Sequence, residues 1–177
     1  MTQIPAPAEV TGYRLSSPEP QRIAVGRTGM IATAHWAASQ AGQEMFEDGG
    51  NAIDAAVAAA FALGVVEPAA SGLGGQTMMV VYEAETKKTV ALDGSSHAPS
   101  RTTPAVLKKK ERLRGHAATT VPTTPAALAY ALDKWGTRPL SRVLEPAIRF
   151  AKEGVEVSLL QNALTHRTLS ELRHVTR

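Results

Sequence analysis

From Ala52 to Val66 the only charged residue is Asp54, and alanine recurs along nearly the whole stretch. No other feature limits the possible folds of this chain as tightly. A bilayer span needs about 20 apolar residues, and Glu67-Pro68 closes the run before that length is reached. A helix that is apolar around its circumference must then be enclosed by other elements of a globular fold. Alanine faces let neighbouring backbones approach closely. The composition suits such a core, with 44% hydrophobic residues and only 5% aromatic ones. At 177 residues and 20% charged side chains, the chain fits one ordinary globular domain rich in packed helices.

Punctuation around that helix sets the order of the other elements. Residues 1–22 read as an extended arm, with prolines at 5, 7, 18 and 20, and residues 23–177 as the ordered region. Arg22–Thr33 reads as strand or loop leading inward. From Ala37 the spacing of AASQAGQEMFE is helical, and Gly49-Gly50 closes it because glycine accepts the left-handed conformation at a helix end. Asn51 caps the apolar helix.

Ser71-Gly72-Leu73-Gly74-Gly75 forms a turn that allows close backbone approach. A strand over Thr77–Tyr82, a polar turn at Glu85–Lys88 and a second strand over Thr89–Leu92 make an antiparallel hairpin. Asp93–Thr103 is small, polar and proline-marked, a loop of the kind that carries binding groups. Helices are expected over Pro104–Arg114, over Pro125–Trp135 with Thr124 as N-cap, over Ser141–Glu153 with Pro146 inside and Gly154 behind, and over Ser158–Arg177. The last of these has no terminator, so the architecture is expected to continue past Arg177.

Several chemistries are excluded. With no cysteine there is neither a disulfide nor a thiolate nucleophile or metal ligand. The five histidines are too scattered for a sequence-local metal cluster, and His35, His116 and His166 read as surface or structural residues. There is no phosphate-binding glycine loop, and no cofactor is expected. The formal charge of +3 is dispersed except at Lys108-Lys109-Lys110, Arg112 and Arg114, where no aromatic residues interleave. That run reads as a solvated helix end, and no nucleic-acid partner is expected. Nor is a membrane partner. Met1–Pro20 lacks the charged and apolar regions of a secretory signal, which favours the cytoplasm slightly.

The residues that remain resemble the γ-glutamyltranspeptidase family. The strongest match is Gly49-Gly50-Asn51-Ala52-Ile53-Asp54-Ala55. It is preceded by Gly29-Met30-Ile31-Ala32-Thr33 and followed in order by Glu67-Pro68, by Gly72-Leu73-Gly74-Gly75 and by the Asp93…Ala98-Pro99 loop. Leu132-Asp133-Lys134-Trp135-Gly136-Thr137-Arg138-Pro139-Leu140 and Glu145-Pro146-Ala147 complete it. The resemblance covers about residues 23–165. It implies an α+β fold, part of the four-layer αββα sandwich of N-terminal-nucleophile hydrolases, truncated here to the N-terminal portion of the large subunit.

In that family a precursor cleaves itself and a newly exposed threonine serves as nucleophile, its free α-amine acting as base. The threonine opens the small subunit, which would be this chain's partner, so no catalytic residue is expected within residues 1–177. The pairs Thr102-Thr103, Thr119-Thr120 and Thr123-Thr124 read as loops and caps. Asp54 is expected to hydrogen-bond within the fold, and Gly74 and Gly75 either to line the site or simply to turn the chain.

One departure stands out. Family members that take γ-glutamyl substrates carry an arginine two residues after the loop aspartate, where its planar fork grips the substrate carboxylate. Here Asp93-Gly94-Ser95 puts a serine in that place. The resemblance then implies substrate contacts at Ser95, Ser96 and His97, with Arg101 as a substitute cation. Three functions follow: a γ-glutamyltranspeptidase-like hydrolase or transferase acting on a small amide; an amidase or acylase of the same architecture taking another acyl group; or a non-catalytic subunit or binding fragment.

Overall fold

The structure, a computed structural model, describes residues 25–107 and 118–175. The expected arm, His116 and the basic run Lys108–Arg114 lie outside the described residues. The chain divides into two units, Met1–Met30 and Ile31–Arg177, and every regular element among the described residues lies in the second. In order these are α1 (Trp36–Glu47), α2 (Ala52–Val66), β1 (Thr77–Glu83), β2 (Lys88–Gly94), α3 (Pro104–Leu107), α4 (Thr124–Trp135), α5 (Leu140–Glu153) and α6 (Leu159–Val175).

Helix α1 starts one residue earlier than its apolar spacing suggests, because His35 caps it. The His35 Nδ1 accepts the Ala37 N–H at 3.2 Å. Burial lowers the imidazole pKa and outweighs the opposing charge of Glu67, which keeps the ring neutral and its nitrogen free to accept. At the other end Gly49, at φ +74°, turns the chain: its N–H donates to Phe46 O and the Gly50 N–H to Met45 O. This crossed pair is the glycine-closed helix end anticipated from the sequence.

Asn51 then opens α2. Its Oδ1 accepts the N–H groups of Ile53 (2.8 Å) and Asp54 (3.1 Å), while Asp54 Oδ2 accepts the Asn51 N–H at 2.7 Å. This reciprocal box satisfies the free donors of the first turn. Only Ala52 and Ala56 of α2 are exposed. The helix is wrapped by α1, α4 and α5, as its all-round apolarity requires. One core cluster joins Met45, Val57, Phe61, Leu128, Leu132 and Val143; a second, almost wholly alanine, lies between α1 and α2.

Strands β1 and β2 form a two-stranded antiparallel sheet with Thr77 opposite Gly94 and Glu83 opposite Lys88. Met79 and Leu92 face the helical core. Both strands run further than the apolar residues alone suggest, because pairing continues through polar Glu83, Lys88 and Asp93. The described part of Arg22–Thr33 forms no strand, and α3 is described only over Pro104–Leu107. Helix α4 begins at Thr124, not after it, and neither Thr123 nor Thr124 caps it through a side chain. Both hydroxyls are used elsewhere: Thr123 donates to Gly94 O, and Thr124 Oγ1 bonds Thr77 Oγ1 at 3.0 Å.

Candidate functional site

The loop after β2 is fixed from its first residue. Gly94 is buried, and a Cβ there would fall 2.5 Å from Thr77 O and 2.7 Å from Ala127 Cβ. Only a residue without a side chain lets α4 approach the strand end this closely. Two residues after Asp93 the chain folds back, and Asp93 Oδ1 accepts both the Ser95 N–H at 2.9 Å and the Ser95 Oγ–H at 2.5 Å. The Ser95 hydroxyl, followed by its amide, holds the Asp93 pKa below the usual carboxylate value. Asp93 is therefore charged at neutral pH, and the only proton of the Ser95 hydroxyl is committed to it.

Next along the loop, the Ser96 N–H donates to Gln76 Oε1 at 3.3 Å. His97 forms an isolated antiparallel bridge with Val121, whose N–H donates to His97 O at 2.9 Å. Thr123 joins this group from the same segment as Val121. Its N–H donates to Gly75 O at 3.1 Å and its hydroxyl to Gly94 O. Three stretches distant in sequence thus meet here: the glycine turn ending at Gly75-Gln76, the Asp93–His97 loop and the Val121–Thr123 segment.

Of the residues expected to contact substrate, Ser95 and Ser96 are half-buried on this loop, and His97 is exposed with its backbone pinned. Arg101 is exposed in the turn where the Thr102 N–H donates to Pro99 O at 2.8 Å. Among the described residues it forms no ion pair with Asp93. An open cleft of ≈ 190 Å³ lies between α2, the glycine turn and the start of α4, with Ala60, Leu63, Leu73, Thr77 and Thr124 among its walls. None of the four expected residues lines it. Among the described residues no cluster of three His, Asp or Glu side chains is placed to hold a metal ion, and no helix is long and apolar enough to cross a membrane.

Sequence reasoning names Asp93 as the start of this loop and Thr123 as part of a loop or cap, but gives neither of them, nor Gln76, a bonding role in the site. Asp93 was legible in principle, because Asp-x-Ser is a spacing at which an aspartate bonds its own backbone two residues on. Thr123 and Gln76 carry no local signal.

The family model described as Gamma-glutamyltranspeptidase matches residues 38–176. The chain belongs to that family. It is 40% identical over 171 residues to the glutathione hydrolase proenzyme of Bacillus subtilis (strain 168), covering 92% of this chain and 29% of that protein. It is 36% identical over 159 residues to the Acylase ACY 1 proenzyme of Pseudomonas sp. (strain V22), covering 82% of this chain and 28% of that one. The γ-glutamyltranspeptidase crystal structure from Helicobacter pylori superposes with a TM-score of 0.77 at 38% identity, over 82% of this chain and 44% of that one. The chain therefore spans less than a third of the curated relatives it matches. The family match takes in all but the first two residues of α1, together with α2, the hairpin and the Asp93–His97 loop.

Proposed function

We propose that this chain is the N-terminal part of the large subunit of a self-processing amide hydrolase or acyl transferase of γ-glutamyltranspeptidase type. Its nucleophilic threonine would lie in sequence beyond Arg177. The observation that carries this reading is the family match over residues 38–176 together with the much greater length of the relatives. Among the threonines near the loop, Thr77, Thr123 and Thr124 all have hydroxyls engaged in internal hydrogen bonds. None has the free α-amine that would make it a self-sufficient nucleophile.

The exposed face of the hairpin supports the four-layer sandwich. Met78, Val80 and Tyr82 project from it at 69%, 73% and 64% exposure, with Asp93 opposite Met78 at the end of the same face. A second sheet laid on this face would cover the apolar stripe and bring the small subunit against the Asp93–His97 loop. The substrate is a small amide. Ser95, Ser96 and His97 would contact its acyl group, and no cofactor, nucleic acid or membrane takes part.

The geometry of Ser95 favours a second reading, an acyl group without the glutamyl carboxylate. Its hydroxyl proton is held by Asp93, so Ser95 presents lone pairs, beside a carboxylate, where a carboxylate-binding site needs donors. Ser95→Arg in the complete, matured protein is expected to raise kcat/KM on a γ-glutamyl anilide by roughly tenfold or more and to impair the neutral acyl substrate. If the wild type already cleaves γ-glutamyl anilides well and Ser95→Arg does not help, the second reading fails. If the complete protein hydrolyses no amide, the first fails as well.

A further inference from the structure

We infer that Thr123 is a positioning residue that sets where the Ser95–His97 loop stands relative to the glycine turn. The inference rests on the functional reading above only for its effect on substrate. The clamp itself is in the geometry. A threonine just before a helix ordinarily turns its hydroxyl onto the free N–H groups of the first turn. Thr123 does not: the first turn of α4 receives no side-chain cap, and the hydroxyl reaches instead to the carbonyl of Gly94, immediately before Ser95. In the same residue the backbone N–H donates to Gly75 O at 3.1 Å. One half-buried residue thus ties together two glycines that bound two different loops.

The neighbouring bonds make the arrangement two-sided. Val121 N–H to His97 O, at 2.9 Å, holds the far end of the substrate loop, and Ser96 N–H to Gln76 Oε1, at 3.3 Å, holds its middle. Thr123 holds the near end. Asp93 holds Ser95 from within the loop, whereas the Thr123 hydroxyl on the Gly94 carbonyl ties the start of the loop to the segment before α4. Removing that hydroxyl frees the loop at the point where its two serines emerge while leaving the helical core untouched. Thr123 touches no substrate group; it acts through Ser95 and Ser96.

The test compares Thr123→Val, which keeps the shape and removes the donor, with Thr123→Ser, which keeps the donor. Thr86→Val, which removes a hydrogen bond to Glu83 in the remote hairpin turn, serves as control. Amide exchange of residues 94–97 is measured in each, along with KM and kcat for whichever amide the complete, matured protein hydrolyses. Thr123→Val is expected to speed exchange across the loop and raise KM roughly 5–10-fold with kcat nearly unchanged, and Thr123→Ser to restore both. Unchanged loop exchange in Thr123→Val overturns the clamp. So does a serine variant as impaired as the valine one, which would make the methyl group the important part. A parallel fall of kcat and melting temperature would reduce Thr123 to a stability residue. Should the wild type turn over no amide, the functional reading falls, and the exchange comparison alone still decides the clamp.

Discussion

Asp54 is fully buried, at 0% exposure, yet it remains a carboxylate. Burial pushes its pKa upward, but the Thr137 hydroxyl and the backbone N–H groups of Asn51, Arg138 and Thr137 together outweigh burial and leave it below the ordinary aspartate value. The partners lie at 2.6 Å for the Thr137 hydroxyl, 2.7 Å for Asn51, 2.9 Å for the Thr137 amide and 3.0 Å for Arg138. A position near the positive end of α2 adds to the effect. Asp54 thus ties the start of α2 to the α4–α5 connection, alongside the Asn51 Nδ2–H bond to Trp135 O at 2.6 Å.

Asp54→Ala, which leaves several buried donors unpaired, is expected to cost roughly 3 kcal/mol or more in urea unfolding. Asp54→Asn is expected to cost nearly as much, because its amide group turns donors toward donors. Because the native pKa is lowered, the contribution is complete above the ordinary value of 3.8 and is lost as pH falls below it. Wild-type stability should therefore drop more steeply than that of Asp54→Asn on acidification below about pH 4; parallel curves would remove Asp54 as the cause. The local half of this lock was legible, since Asn51 and Asp54 stand three residues apart at the head of an apolar run. The other half was not, because Thr137 and Arg138 meet Asp54 only after α4 has packed. The same limit hid Thr123, whose hydroxyl forgoes a local cap for a carbonyl distant in sequence.

At the scale of elements, the alanine content of α2 translates into helices packed nearly backbone to backbone. Gly42, in the middle of α1, shows how close. A Cβ there would meet Ile31 Cδ1 at 2.1 Å and Ala55 O, on α2, at 3.0 Å. Glycine inside a helix ordinarily costs about 1 kcal/mol relative to alanine, so intrinsic preference favours Gly42→Ala. The Ile31 methyl can rotate away, but the Ala55 carbonyl belongs to the enclosed helix and moves only if α1 and α2 separate. The contact is expected to prevail, leaving Gly42→Ala destabilised by about 1 kcal/mol in chemical denaturation. A stabilised variant would mean that the helices part easily. Sequence periodicity located α1, α2 and the hairpin because each carries its own pattern and terminator. Which helices wrap α2 was not readable, since that depends on faces such as Ala127, Leu128, Ala131 and Leu132 finding it.

The described molecule has one well-covered side and one bare one. Helices cover the inner face of the hairpin, where Met79 and Leu92 join the core. The outer face leaves Met78, Val80 and Tyr82 in solvent, a contiguous apolar stripe on a sheet whose strands also have unpaired edges. Such a face invites association. Two physical tendencies compete: the helical core holds the chain together, and the stripe draws copies of it onto one another. Because the core does not depend on the stripe, the second should show itself without loss of helix.

The isolated 177-residue chain is therefore expected to self-associate at high micromolar concentration, measured by light scattering after size exclusion. Val80→Lys is the decisive variant. Val80 is central on the stripe, opposite Ala91 and 73% exposed, so a lysine there has room and places a charge where a second apolar sheet would lie. Association should fall sharply while the circular-dichroism signal and melting temperature stay close to those of the parent. A parent chain that remains monomeric with a cooperative melt would show that the stripe is tolerated in water, and would withdraw the support it gives to a second covering sheet.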